Sequence, residues 1–428
     1  MSAKDSKSKL SLKDSSFLKN PPIEEKPEDN SNLLPSDIAW KIALGMIIIA
    51  VIVFASQFGP FLFSRLTNTQ VAYNTPIQIT RSALQIAVNS TMFFGNSTYQ
   101  NKIDFESCDA SGNCTPTFNA TDRSYAWRIF GELGLYQRTH SPIYLNQMKS
   151  DFSSILQGNY SWGAPFYSSY QIGRTYLVIN YTPMLDYYYT TNRDALNAQP
   201  GDLSPGNPML EATLAREYAL TALMLNQSNS VDYLESKQYV LSNSSSPLSA
   251  NNQRAAFLDA SEYELNQSIQ DASSEPLVIS DMPDFKQDEC WIISAKYDLY
   301  RATGNKSYLS DVLSFFNRAH FGSRNPSELN VQLPSQIHPC IDVLEQIAAP
   351  NNSYSYDADF LLQDYVVRSW DSPASPICNG DGGFLSVVPQ DPTAPVSCIY
   401  QYKSDSDAGY SIYLLANDNN TAYRLIGD

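Results

Sequence analysis

The sequence predicts an all-α protein, a ring of helical hairpins carried on one N-terminal transmembrane helix. Three observations lead there: an apolar run from Ile38 to Phe63, a polar joint that recurs along the rest of the chain, and apolar residues at helical spacing on both sides of each joint.

Residues 1–37 are rich in Lys, Ser, Asp and Pro, a composition that buries too little apolar surface to offset chain ordering, and they read as a disordered cytoplasmic tail. Residues 38–63, "IAWKIALGMIIIAVIVFASQFGPFLF", hold the roughly 20 apolar residues that a bilayer-spanning helix needs, with Lys41 the one charge and Trp40 beside it. The run is too long for the short apolar core of a cleaved signal peptide, so an uncleaved anchor in the lipid bilayer is expected. Lys4, Lys7, Lys9, Lys13, Lys19, Lys26 and Lys41 precede or open the span, and only Arg65 closely follows it. That asymmetry places the N-terminus in the cytoplasm and the large domain outside the cell membrane.

The composition beyond the span agrees. All six cysteines lie there, paired most simply as Cys108 with Cys114, Cys290 with Cys340, and Cys378 with Cys398, the first and last being the pairings most favoured among the fifteen that six cysteines allow. Every Asn-X-Ser/Thr acceptor lies there too: Asn89, Asn96, Asn113, Asn119, Asn159, Asn180, Asn226, Asn243, Asn266, Asn305, Asn351 and Asn419. The whole net charge of −16 belongs to residues 42–428, which excludes nucleic acid and anionic lipid as natural partners.

Residues 64–120 form a membrane-proximal segment with one helix, read at Thr75–Phe94. From residue 121 the joint repeats: an apolar residue ends one run, and an aromatic residue eight positions later opens the next. The copies are "LYQRTHSPIYL" (135–145), "VINYTPMLDYY" (178–188), "MLNQSNSVDYL" (224–234), "LYRATGNKSYL" (299–309), "IAAPNNSYSYD" (347–357) and "LLANDNNTAYR" (414–424). Gly304 suits the left-handed residue that closes a helix, and Ser or Asn before the second run suits a cap. Six hairpins without the fixed period of a tetratricopeptide array favour a ring, with an open α-solenoid as the alternative. Two departures bear on closure: only "TAYRLIGD" remains for the last helix, so the one at Thr75–Phe94 is expected to complete the ring, and residues 250–272 add a further helix.

The segments "ECWIISAKYDLYRATGNKSYLSDVLSFF" (289–316), "CNGDGGF" (378–384) and "SDSDAGYSIYLL" (404–415) resemble the six-hairpin, or (α/α)6 toroid, group of carbohydrate-active enzymes. The resemblance covers residues 121–428 and implies glycan binding and glycoside hydrolysis. Long connections between hairpins, at Thr190–Pro208, Ser242–Pro283, Phe321–Pro334 and Asp371–Lys403, place the functional groups at one end of the ring. They carry Asp281, Asp284, Asp288 and Glu289, and, across the chain, Asp371 and Asp381. Glycosidases need two carboxyl groups across the scissile bond, and a pair of Asp381 with one of the first four would serve. The bland reading of carboxylates before a helix is that they cap it or favour its positive end. Trp162, Tyr167, Tyr170, Trp291 and Trp370 are candidates for stacking on sugar, against the commoner role of core aromatics.

No serine-hydrolase elbow, phosphate loop, HExxH zinc motif or calcium loop occurs, and no cofactor or metal is expected. His338 beside Cys340 reads as an incidental histidine next to a disulfide. Two functions follow: a membrane-anchored, glycosylated toroid that binds glycans or a cell-envelope polymer and in its sharper form hydrolyses them, or a noncatalytic surface scaffold. A deep carboxylate-lined cavity favours the first, and an aromatic-filled centre the second.

Overall fold

The structure, a computed structural model, describes residues 79–95, 105–109, 111–117, 122–157, 166–179, 182–197, 206–227, 233, 250–324, 334–348, 353–389, 396–398, 401–419 and 423–425. The expected tail and transmembrane span lie outside these residues, as do Trp162 and the acceptors Asn96, Asn119, Asn159, Asn180, Asn243 and Asn351. Among the described residues no helix is long and apolar enough to cross a membrane.

The helices are α1 (Ala83–Ser90), α2 (Asp122–Thr139), α3 (Pro142–Gln157), α4 (Phe166–Ile179), α5 (Thr182–Asn197), α6 (Pro208–Leu225), α7 (Ala250–Ala272), α8 (Glu289–Thr303), α9 (Lys306–Ala319), α10 (His338–Ile347), α11 (Ser353–Leu361) and α12 (Asp405–Asn417). The joints fall where the sequence puts them, between α2 and α3, α4 and α5, α8 and α9, and α10 and α11. Local chemistry sets the break at 303–306. Gly304 takes φ 72° and its N–H donates to the Tyr300 carbonyl at 2.7 Å, and Asn305 then caps α9 by accepting from the Ser307 N–H at 3.1 Å.

The even-numbered helices form an inner ring, each packed on the next, and α12 returns against α2. That last contact excludes the solenoid. It needs small residues: a Cβ on Gly409 of α12 would lie 2.2 Å from the Trp127 carbonyl oxygen of α2, and one on Gly134 would lie 2.9 Å from the Tyr413 Cα. The odd-numbered helices lie outside, each beside its inner partner: α3 on α2, α5 on α4, α7 on α6, α9 on α8, α11 on α10, and α1 on α12. Position fixes burial. Inner α6 is buried on nearly all faces, whereas outer α9 buries one stripe, Val312, Phe315, Phe316 and Ala319.

The N-terminal helix does complete the sixth hairpin, though as a shorter element than Thr75–Phe94. Strand β1 (Ile79–Arg81) precedes it and pairs antiparallel with β5 (Tyr423–Leu425), the segment that the last joint leads into. The helix expected at 250–272 is α7. A second small sheet has the order β3-β2-β4, from β2 (Phe105–Cys108), β3 (Cys114–Thr117) and β4 (Tyr402–Ser404). The two sheets are additions to the all-α expectation. Their strands are three or four residues long, too short for a periodic signal to stand out in the sequence. The Thr190–Pro208 connection is also shorter than expected, because α5 runs on to Asn197.

All three disulfides join the nearest cysteines: Cys108–Cys114, Cys290–Cys340 and Cys378–Cys398. The second is buried and ties the start of α8 to the start of α10. The four sulfurs of the other two lie within 4.8 Å of one another, all engaged in disulfide bonds.

Candidate functional site

The centre of the ring is filled. Arg174 of α4 pairs with Asp342 of α10 at 2.6 Å, and Arg216 of α6 pairs with Asp298 of α8 at 3.0 Å and reaches Asp342 at 3.6 Å. Tyr170 donates to Asp298 at 2.7 Å, the Arg174 guanidinium donates to the Tyr413 hydroxyl at 2.8 Å, and Phe130 stacks on Tyr413. All six inner helices meet there. Burial pushes the Asp342 carboxyl up, but Arg174 and Arg216 outweigh it and hold the group below its ordinary value. Paired and buried, these groups plug the ring.

Above this plug lies a cavity of about 370 Å³, lined by Phe105, Trp127, Met209, Trp291, Ser335, His338, Tyr402, Ser404, Ser406, Asp407 and Tyr410. Its walls come from the first turns of α6, α8, α10 and α12, the second turns of α2 and α12, the short turn Pro334–Gln336, and strands β2 and β4. Tyr410 belongs to both regions, because its ring lines the cavity while its hydroxyl donates to Asp342 at 3.3 Å. The volume lies at the lower end of the range for small-molecule pockets. Apolar ring faces dominate one part of the lining, with hydroxyls, an imidazole and a carboxylate in the rest.

The polar groups are fixed in place. Ser404 caps α12 by accepting from the Asp407 N–H at 3.1 Å and donates its own proton to the Asp407 carboxylate at 2.8 Å. His338 is 1% exposed and lies 3.3 Å through Nε2 from the Ser411 hydroxyl. Burial pushes its imidazole down to about 3, so the ring is neutral at physiological pH.

The wall made by β2 and β4 is locked from behind. Lys403 Nζ donates to Asp371 and Asp381, each at 2.7 Å, and to Asn379 at 2.5 Å, and lies 3.1 Å from Glu106. Burial lowers the lysine, but Asp381 and Asp371 outweigh it and hold the ammonium above its ordinary value. Glu106 is pushed up to about 7, first by burial and then by its hydrogen bond and charge repulsion with Asp381. Asp371 also accepts from the N–H groups of Ile377, Cys378 and Gly380, which shapes the "CNGDGGF" loop.

The carboxylates singled out by sequence fall into separate surroundings. Exposed Asp281 pairs with Arg324 at 3.0 Å, and Asp284 takes both guanidinium nitrogens of Arg318, which hold it below its ordinary value. Asp288 is pushed up to about 7 by burial and by Glu275, and Glu289 to about 7 by burial. Asp381 belongs to the Lys403 cluster, and none of the five lines the cavity. Of the aromatic candidates, Trp291 lines the cavity and Tyr170 sits in the plug. Trp370 is buried with its indole N–H on the Gly382 carbonyl, and the Tyr167 side chain lies outside the described residues.

Reasoning from sequence missed Phe105, Trp127, His338, Tyr402, Asp407 and Tyr410 as a set. One signal pointed to part of it: the quoted segment "SDSDAGYSIYLL" contains Asp407 and Tyr410.

No family model matches the chain, and no curated protein sequence matches it. Solved structures do. The α-1,6-mannanase of Salegentibacter sp. HEL1_6 aligns over 78% of this chain and 98% of its own, at 13% identity and TM-score 0.46. An inactive variant of that enzyme with α-1,6-mannotetrose gives 12% identity and TM-score 0.48 over the same shares. An unsaturated glucuronyl hydrolase specific for heparin gives 10% and 0.47 over 78% of this chain and 96% of its own. Both enzymes are six-hairpin toroids. So is this chain. The closed packing of its own inner helices establishes that architecture, and the toroid places its cavity where the first turns of those helices converge.

Proposed function

We propose that this protein is a membrane-anchored, glycosylated extracytoplasmic toroid that binds a glycan in the cavity at the N-terminal ends of its inner helices, and binds it without cleaving it. The observation that carries the reading is the cavity lining. Trp127, Trp291, Tyr410, Phe105 and Tyr402 offer flat apolar faces, and Ser335, Ser404, Ser406, His338 and Asp407 offer hydrogen-bonding groups beside them. A sugar ring has that same division, with C–H faces that pack on aromatic rings and hydroxyls at its edge.

The case against cleavage is also in the lining. Acid–base hydrolysis of a glycoside needs two carboxyl groups flanking the bond, and Asp407 is the one carboxylate among the described lining residues. The apolar run at 38–63, its flanking lysines and the acceptors beyond it support the anchored, outward-facing topology.

Full-length protein in detergent, screened by calorimetry against mono- and oligosaccharides with product mass followed in parallel, tests both parts. Binding is expected without product, and Trp291→Ala is expected to weaken it about tenfold. Product release abolished by Asp407→Asn would overturn the noncatalytic reading, and failure of every sugar to bind would overturn the glycan reading.

A further inference from the structure

Among the aromatic residues of the cavity, two differ from the rest. Trp127, Trp291 and Tyr410 are buried, whereas Phe105 and Tyr402 are each 39% exposed. Their rings stack on one another with centroids 5.5 Å apart and planes 27° apart, so together they make a paired apolar ridge that is partly open to solvent. Side chains alternate along a strand, and the register of β2 and β4 sets Phe105 opposite Ser404, Glu106 opposite Lys403 and Ser107 opposite Tyr402. Phe105, Ser404 and Tyr402 therefore face the cavity. Glu106 and Lys403 face the other way, into the buried cluster that holds both strands.

We propose that Phe105 and Tyr402 form a second saccharide subsite at the mouth of the cavity, so that the ligand is a chain of at least two uncharged sugar residues, one against the buried aromatic residues and one against the exposed aromatic pair. The proposal rests on the glycan reading above and extends it to ligand length and charge. Length follows from position, because the exposed pair lines the same cavity as the buried Trp127, Trp291 and Tyr410, on its solvent side. Charge follows from the neighbours: Asp407 lines the cavity, and behind the strands three carboxylates face the single ammonium of Lys403. A uronate or sulfated sugar would meet a surplus of negative charge there.

The test is a ratio. Affinities of neutral gluco-, manno- and galacto-oligosaccharides of one to four residues are measured by calorimetry on the full-length protein in detergent. The native protein is expected to bind the disaccharide about tenfold more tightly than the monosaccharide, the size of one good ring contact. Phe105→Ala and Tyr402→Ala should bring that ratio toward one, while Phe105→Tyr and Tyr402→Phe, which keep the ring face, should preserve it. If the alanine variants unfold, Phe105→Leu and Tyr402→Leu keep the bulk without the ring and should lower the ratio in the same way. A monosaccharide that binds with no gain from a second residue overturns the subsite alone, as does a ratio that survives the alanine or leucine variants. Tighter binding of uronate or sulfated oligosaccharides than of neutral ones overturns the charge assignment. If no sugar binds at all, the cavity reading fails and the subsite falls with it.

Discussion

At the centre of the ring two buried arginines face two buried aspartates, whereas behind the cavity wall one lysine faces three carboxylates. With Arg301 also paired to Asp298 at 3.2 Å, the first cluster has a cation for each carboxylate and one to spare. The second carries surplus negative charge and relieves it by keeping Glu106 protonated up to about neutral pH. A cluster whose carboxylates are all paired acts as a fixed plug at any pH at which it stays ionised, but one short of cations makes the wall it holds sensitive to protons.

Breaking the plug should cost most. Asp342→Ala leaves Arg174 and Arg216 without their shared partner and is expected to lower unfolding free energy by about 3–5 kcal/mol in urea titrations. A cost under about 1 kcal/mol would show that the plug relaxes and that the two clusters do not differ.

Lys403→Met sharpens the comparison, because its cost should depend on pH. Glu106, already pushed up to about 7, carries a proton at the lower pH and leaves fewer unpaired charges behind, so about 3 kcal/mol is expected at pH 8 and roughly half of that at pH 5. Asp342→Ala should not track pH in that way over the same range.

The native protein should itself melt at lower temperature as pH rises. Glu106, Glu211, Asp288 and Glu289 are each pushed up to about 7. A carboxyl raised in the folded state stabilises it while protonated, and that stabilisation is lost as pH climbs from the ordinary carboxylate range through about 7. His338 works oppositely, since its stabilisation is present above 6.5 and lost as pH falls toward about 3. Burial also raises Asp359, to about 6, so the raised carboxyls outweigh the one histidine and the melting midpoint should fall by a few degrees between pH 5 and pH 8. Glu289→Gln should flatten the fall, and a midpoint rising over this window would contradict the assignment.

The smallest effects belong to the end of the ring opposite the cavity. Asn226, Asn305 and Asn419 are exposed, near the C-terminal ends of inner helices α6, α8 and α12. Asn226→Gln and Asn419→Gln should each remove one glycan mass and change stability by less than about 0.5 kcal/mol. Asn305→Gln should cost about 1 kcal/mol as well, because Asn305 caps α9. Unchanged mass in all three variants would place these acceptors outside the glycosylated set.

The hairpins were legible because a helix end is a local event. Gly304, Asn305 and Ser307 settle their joint through bonds that span no more than four residues, and the same holds for the short loop closed by Cys108 and Cys114. The site was not legible in this way. Asp281 and Asp284 looked free for chemistry, but their partners Arg324 and Arg318 lie 43 and 34 residues further on. Asp381 looked like half of a catalytic pair until Lys403, on a strand too short to read, came to lie beside it.

By itself, then, the sequence determined where four of the hairpin joints fall, which cysteines are neighbours, and which turns display polar acceptors, since each depends on residues close along the chain. Only the tertiary structure decided that the ring closes, because that required the glycines of α2 and α12 to meet backbone to backbone. Closure in turn brought Phe105, Trp127, Trp291, His338, Tyr402 and Asp407 around one space. Those residues span some 300 positions of chain, and no local periodicity ties them together, because what they share is a place at the same end of the ring.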